Sequence, residues 1–278
     1  MLKQRVITAL LLLPLVMAAI FAAPASWFLI LLAIILLGGS WEYRRLAGLS
    51  DHPGGYLMVI VQAGILAGLF WCSDQWTAGI WVYLSMACIA WLLLFIRLPL
   101  YRPDTPLDSS YRRISLVTAV LSVTIGWFAL SWVRIQPQGS WLILLLLLIV
   151  WAADTGAYFA GKTFGKRKLA SYISPGKTWE GLLGGLIAAP LIALLASNLM
   201  PIKTIEPGWL VLLSLVAALV SAGGDLMISL HKRISGFKDS GSLLPGHGGI
   251  LDRLDSLLAA APFFALGLLV SGFWGQNV

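Results

Sequence analysis

Carboxylates, ammonium groups and guanidinium groups crowd into residues 229–255, between two apolar segments of membrane-spanning length. In order the stretch carries Ser229, His231, Lys232, Arg233, Lys238 and Asp239. A proline–glycine–histidine run follows at 245–249, then Asp252, Arg253 and Asp255. Polar side chains beside a bilayer are costly unless they are paired, hydrated or used. Just upstream, Asp225 falls with Ser229, Lys232 and Arg233 at i, i+4, i+7 and i+8, one stripe of a helix. Asp252 and Asp255 lie one turn apart if the last helix reaches back to them. Carboxylates at 225, 252 and 255 converge if their helices are neighbours. Hard oxygen ligands of this kind suit Mg²⁺, which takes one or two carboxylates and completes its shell with water and substrate phosphates. Lys and Arg neutralise the remaining phosphate charge, and glycines let backbone amides approach a ligand. One histidine among several aspartates is a poor zinc set. His231 reads as a helix-surface residue, and for His247 a structural hydrogen bond and a ligand role both stay open.

Two further constellations carry polar groups. Asp154 sits inside an apolar helix, eight residues before Lys162, or roughly 12 Å at the helical rise. A carboxylate at that depth faces a cavity or a partner. The segment from Gly165 to Gly181 holds Lys166, Arg167, Lys168, Ser174, Lys177, Thr178 and Glu180. Ser174 with Pro175 reads as an N-cap and first helical turn, with Glu180 in a capping role nearby. The free amides of such a start, beside Lys177 and Thr178, would seat an anionic oxygen. Gly176, Lys177 and Thr178 resemble the end of a phosphate-binding P-loop, but the first glycine it requires upstream is absent and no strand precedes it.

The elements that must position these groups are membrane spans. The chain has 278 residues, 59% of them hydrophobic, and only 11% are charged, against about 25% in soluble domains. Apolar runs long enough to cross a bilayer recur throughout, at 6–23, 26–43, 57–73, 78–96, 115–133, 141–160, 180–199, 209–228 and 256–274. The expected fold is an all-α polytopic membrane protein of nine helices, its first helix retained rather than cleaved as a secretory signal. Assigning alternate connections to one face puts 17 of the 19 basic residues there and leaves Arg134 and Lys203 on the other. Positive-inside bias then places the amino terminus and the charged loops in the cytoplasm and the carboxyl terminus outside. Residues 1–140 form an amino-terminal scaffold of about five spans, and 141–278 a carboxyl-terminal catalytic part of about four. Cys72 and Cys88 carry no metal-ligand spacing and read as small apolar side chains.

Together these residues resemble the phosphatidate cytidylyltransferases, or CDP-diacylglycerol synthases. Ser229, Lys232–Arg233, Lys238–Asp239, the run 245–249, Asp252–Arg253 and Asp255 match that family's long motif at every spacing. Asp154, the 174–181 element and Gly224–Asp225 look like the family too, while residues 1–140 resemble it only in hydropathy. His231 departs, since relatives tend to carry an apolar residue there. The resemblance implies transfer of CMP from CTP to phosphatidate, giving CDP-diacylglycerol and pyrophosphate in the inner membrane. It implies Asp225 and Asp252 as catalytic Mg²⁺ ligands, Asp255 as a third ligand or orienter, and Lys232, Arg233, Lys238 and Arg253 as phosphate clamps. Ser174, Lys177, Thr178, Ser229, Asp239, His247, Gly248 and Asp154 join the substrate-binding set. The partners implied are CTP, phosphatidate and membrane lipid, not nucleic acid; a second cation and a homodimer are compatible with it. A CDP-alcohol phosphatidyltransferase would carry a longer Asp-x-x-Asp-Gly pattern that this chain lacks. An anion transporter would repeat paired half-sites in both halves, and none recurs.

Overall fold

The computed structural model describes residues 2–76, 79–103, 105–202, 205–243 and 248–274, with side chains from residue 10 onward. Pro245, Gly246, His247 and Lys203 lie outside the described residues. The chain is a bundle of helices with one small hairpin. In order these are α1 (Leu2–Phe21), α2 (Ala25–Leu46), α3 (Pro53–Trp71), α4 (Ile80–Phe95), the short α5 (Arg97–Leu100), α6 (Ser109–Ile135) and α7 (Gly139–Phe164). There follow strands β1 (Lys168–Ala170) and β2 (Ser174–Thr178), then α8 (Trp179–Leu199), α9 (Pro207–Ile234) and α10 (Leu251–Val270). Among the described residues, eight helices from α2 onward are long and apolar enough to cross a membrane, α4 and α5 counting as one span. In α1 the described apolar part is Leu10–Phe21.

Helices form here because lipid offers the backbone no hydrogen-bond partners, so each span must satisfy its own amides. Their outer faces are apolar. On α8, Leu183, Ile187, Leu191 and Leu195 recur every fourth residue and are 57–63% exposed, an outward apolar stripe. The inner faces differ. Between α7 and α8 the contact is made by small residues: a Cβ on Gly156 would stand 2.6 Å from the Ala188 Cβ, and one on Gly185 would stand 2.7 Å from the Ala153 carbonyl oxygen. Small residues bring membrane helices close where lipid supplies no hydrophobic drive.

Connections meet at two ends. At one, Arg134 donates to the Ala23 carbonyl (2.7 Å), Ser140 to Ile20 (2.8 Å) and the Trp274 indole to Pro137 (3.3 Å). At the other, Arg44 donates to Ser50 (2.7 Å), Arg45 to Asp239 (3.4 Å) and Arg233 to Ile173 (2.9 Å). The basic loops therefore gather at a single end of the bundle, as the alternation of charge predicts.

Several boundaries lie beyond the apolar runs. Helix α6 starts at Ser109 because the Asp108 carboxylate accepts the Tyr111 amide (2.7 Å). Helix α9 continues through the charged residues to Ile234, and α10 begins at Leu251, so Asp252 and Asp255 stand on it one turn apart. The expected N-cap at Ser174 is corrected: Ser174 and Pro175 belong to strand β2, and the cap of α8 is Thr178, whose hydroxyl accepts the Gly181 amide (3.1 Å). Glu180 stays at the first turn of α8, where its carboxylate meets its own amide, and also accepts the Lys166 and Arg167 amides at 3.0 and 3.2 Å, pinning the start of the hairpin. A second correction concerns His231. It is fully buried between the rings of Tyr43 and Tyr111, 5.2 and 5.8 Å away, because α2 and α6 cover that face of α9.

Candidate active site

A cavity of about 560 Å³ opens between α7, α8, α9 and α10, roofed by β2. Its lining includes the carboxylates Asp154, Asp225, Asp239, Asp252 and Asp255 and the basic residues Lys162, Lys177, Lys232 and Arg253. Each element delivers its group for a local reason. Helix α9 can press against α10 because residue 224 is glycine: a Cβ there would come 2.5 Å from the Asp255 carbonyl oxygen and 2.7 Å from the Ala259 Cβ. That close approach brings Asp225 and Asp255 to one wall. Asp255 is buried, and its Oδ1 accepts the Ser256 amide at 2.7 Å.

Two lysine–carboxylate pairs dominate the wall. Lys177, carried on β2, sits 2.6 Å from Asp225 Oδ2 and also donates to the Ala222 carbonyl at 3.4 Å. Ser229 donates to Asp225 Oδ1 at 3.3 Å, one turn along the predicted stripe. Lys232 sits 2.6 Å from Asp252 Oδ1. The other oxygen of Asp252 accepts the Ser240 amide (2.8 Å) and the Gly249 amide (3.1 Å), and lies 3.0 Å from the Ser240 hydroxyl, whose single proton it shares with Glu42. Asp252 therefore fixes the loop before α10 as well as facing the cavity. Gly248, at φ +81°, turns beside it; a Cβ there would stand 3.1 Å from Asp252 Oδ2.

The remaining expected residues are distributed as follows. Thr178, Asp239 and Arg253 line the cavity with the residues above. Ser229 reaches the cavity through Asp225. Arg233, Lys238 and Ser174 do not line it; Arg233 instead anchors the hairpin through the Ile173 carbonyl, and Lys238 is exposed. His247 lies outside the described residues. Among the described residues no three His, Cys, Asp or Glu side chains gather into a set that would enclose a metal unaided.

One residue at the site has no counterpart in the sequence reading. Glu42, on the second-last turn of α2, is only 4% exposed and accepts the Ile250 amide (3.0 Å), the Leu251 amide (3.1 Å) and the Ser240 hydroxyl (2.8 Å). Its one sequence signal is scarcity: it is the sole acidic residue among the first fifty.

A sequence model described as the Cytidylyltransferase family matches residues 3–271. The chain is similar to a protein of Pseudomonas aeruginosa named phosphatidate cytidylyltransferase, 40% identical over 280 residues, 99% of both chains. A protein of the same name from Haemophilus influenzae is 35% identical over 95% of this chain and 98% of its own length. A third, from Brucella suis, is 47% identical over 132 residues, covering 47% of this chain and 48% of that one.

Proposed function

The chain belongs to the cytidylyltransferase family and makes CDP-diacylglycerol and pyrophosphate from CTP and phosphatidate, and we propose that the cavity bounded by α7, α8, α9 and α10 is where it does so, with Mg²⁺ held by Asp225 and Asp252. The observation that supports this reading is the pair of lysine–carboxylate contacts facing one cavity, Lys177 with Asp225 and Lys232 with Asp252. Five carboxylates line the cavity against four basic groups. Two polyanionic substrates entering such a wall meet no surplus of positive charge. Added cation is therefore in keeping with the donor set, which is oxygen-rich and hard.

The phosphatidate phosphate carries about −1.5 to −2 charges at neutral pH, as monoesters do, so no general base is needed to create the nucleophile. One of its oxygens bonds to the α-phosphorus of CTP, the bond from that phosphorus to the bridging oxygen breaks, and the electron pair leaves with pyrophosphate. The work left to the protein is positioning and charge stabilisation. Lys177 and Lys232 are held at the wall by their carboxylates and can turn to phosphate oxygens without crossing the cavity. Arg253 and Lys162 extend the basic lining for the remaining phosphates. Asp255 orients the wall behind Asp225, and Asp154 closes the membrane side of the cavity. Bound Mg²⁺ would neutralise charge on the triphosphate and its leaving group. Positive-inside bias supports placing the basic end, and with it the mouth for CTP, in the cytoplasm, with the protein in the inner membrane; phosphatidate would enter between helices.

Purified protein given labelled CTP, Mg²⁺ and phosphatidate tests the reading. CDP-diacylglycerol should form, chelation of the metal should stop it, and Asp252→Asn should lower kcat by about 10²–10³-fold, the scale of losing one transition-state contact. Full activity in Asp252→Asn, or undiminished turnover under chelation, sinks the metal assignment.

A further inference from the structure

We infer that Glu42 is a positioning residue for this reaction, holding the Ser240 loop and the first turn of α10 so that Asp252 stays aimed into the cavity. The inference rests on Asp252 acting at the reacting phosphates. Helix α10 has no capping side chain of its own; its N-cap position is Ile250. Glu42 supplies the cap from another helix, Oε1 accepting the Ile250 amide and Oε2 the Leu251 amide. A carboxylate near the carboxyl-terminal end of α2 gains nothing from its own helix dipole, but it is favoured at the amino-terminal end of α10. The Ser240 hydroxyl then lies between two carboxylates, 2.8 Å from Glu42 Oε2 and 3.0 Å from Asp252 Oδ2.

Two glycines make room for this arrangement. A Cβ on Gly241 or on Gly249 would collide with the Glu42 carboxylate. The neighbours of Glu42 grip the same region. The Tyr43 ring packs 5.2 Å from His231, while Arg45 stacks 3.9 Å over Phe237 and donates to the Asp239 carbonyl. By contrast Gln62, also buried, bonds Thr124 at 3.0 Å and touches none of the loop.

The test measures kcat per CTP-binding site, KM for CTP and the melting temperature for Glu42→Gln, Glu42→Ala and Gln62→Ala. Glu42→Gln keeps the shape and one acceptor, and should lower kcat per site about tenfold while KM moves less than about threefold; Glu42→Ala should lose more. Gln62→Ala should lower the melting temperature and leave kcat per site unchanged. Glu42→Gln with wild-type kcat per site overturns the proposal. If neither Glu42 variant folds, Gly241→Ala displaces the carboxylate while retaining it. It should show the same loss, and unchanged turnover there also overturns the proposal. Asp252→Asn at full rate refutes the reading of Asp252 itself. Loss in Asp252→Asn with none in the Glu42 variants refutes only the positioning role.

Discussion

Asp252 accepts from Lys232 and from the loop that precedes it, through the Ser240 and Gly249 amides and the Ser240 hydroxyl it shares with Glu42. Those bonds divide its two oxygens: Oδ2 is committed to the backbone and hydroxyl of the loop, and Oδ1 faces Lys232 and the cavity. On the proposed reading, Lys232 is the group that changes partner when a substrate phosphate binds. Lys232→Met should cut kcat by about 10²-fold or more, from loss of a charge aimed at the transferring group. Lys232→Arg should recover only part of it, because a planar fork does not replace a compact ammonium at 2.6 Å. Steady-state rates of CDP-diacylglycerol formation at saturating CTP decide both. At this scale the sequence was informative where residues share one helix stripe. Asp225, Ser229 and Lys232 could be grouped by spacing alone, whereas Arg233, one position on, turns to the Ile173 carbonyl. Glu42 escaped because a cap supplied across more than 200 residues leaves no local signature.

Among the elements, the contact of α9 with α10 is the tightest constraint on the site. Gly224→Ala forces the two helices apart at Asp255. It should cost about 1–3 kcal/mol, the scale of overpacking, and should lower kcat as well. Gly68→Ala is the matching control: on α3 a Cβ meets nothing within 4 Å, so that variant should be neutral or more stable by about 0.5–1 kcal/mol. Thermal unfolding in detergent, read beside activity, separates the two. The positions of the long helices were legible because apolar runs of such length admit one structure in a bilayer. Their ends were not, since α6, α7, α9 and α10 all continue into polar residues where hydropathy falls silent but caps and ion pairs sustain the helix. The β1–β2 hairpin was hidden for another reason. Ser174–Thr178 contains proline and glycine, poor strand formers, and is strand only because Lys168 pairs with Thr178 and Ala170 with Ser174.

As a whole the molecule places its basic loops at one end and turns with few charges at the other. Cys72, exposed at the end of α3, belongs to the latter, and Ser242 to the former. A membrane-impermeant maleimide added to spheroplasts should therefore label Cys72 in the intact protein. In a Cys72→Ala background, Ser242→Cys should react only after permeabilisation, and the reverse pattern would invert the orientation. The grouping of loops could be read from charge alternation alone, but the packing of α10 against α4 and α6 as well as α9 could not. Apolar faces in lipid carry no pattern that says which helix meets which.

The cap on α10 also has a consequence in time. Glu42 precedes Ile250 by 208 residues, which a ribosome adding about 5–20 residues per second needs roughly 10–40 s to cover. Through that interval the carboxylate has no α10 amides to accept from. The amino-terminal helices can insert and pack, yet the wall of the cavity becomes complete only when the last helix threads in, so a chain interrupted before Ile250 has its scaffold and lacks the α10 wall.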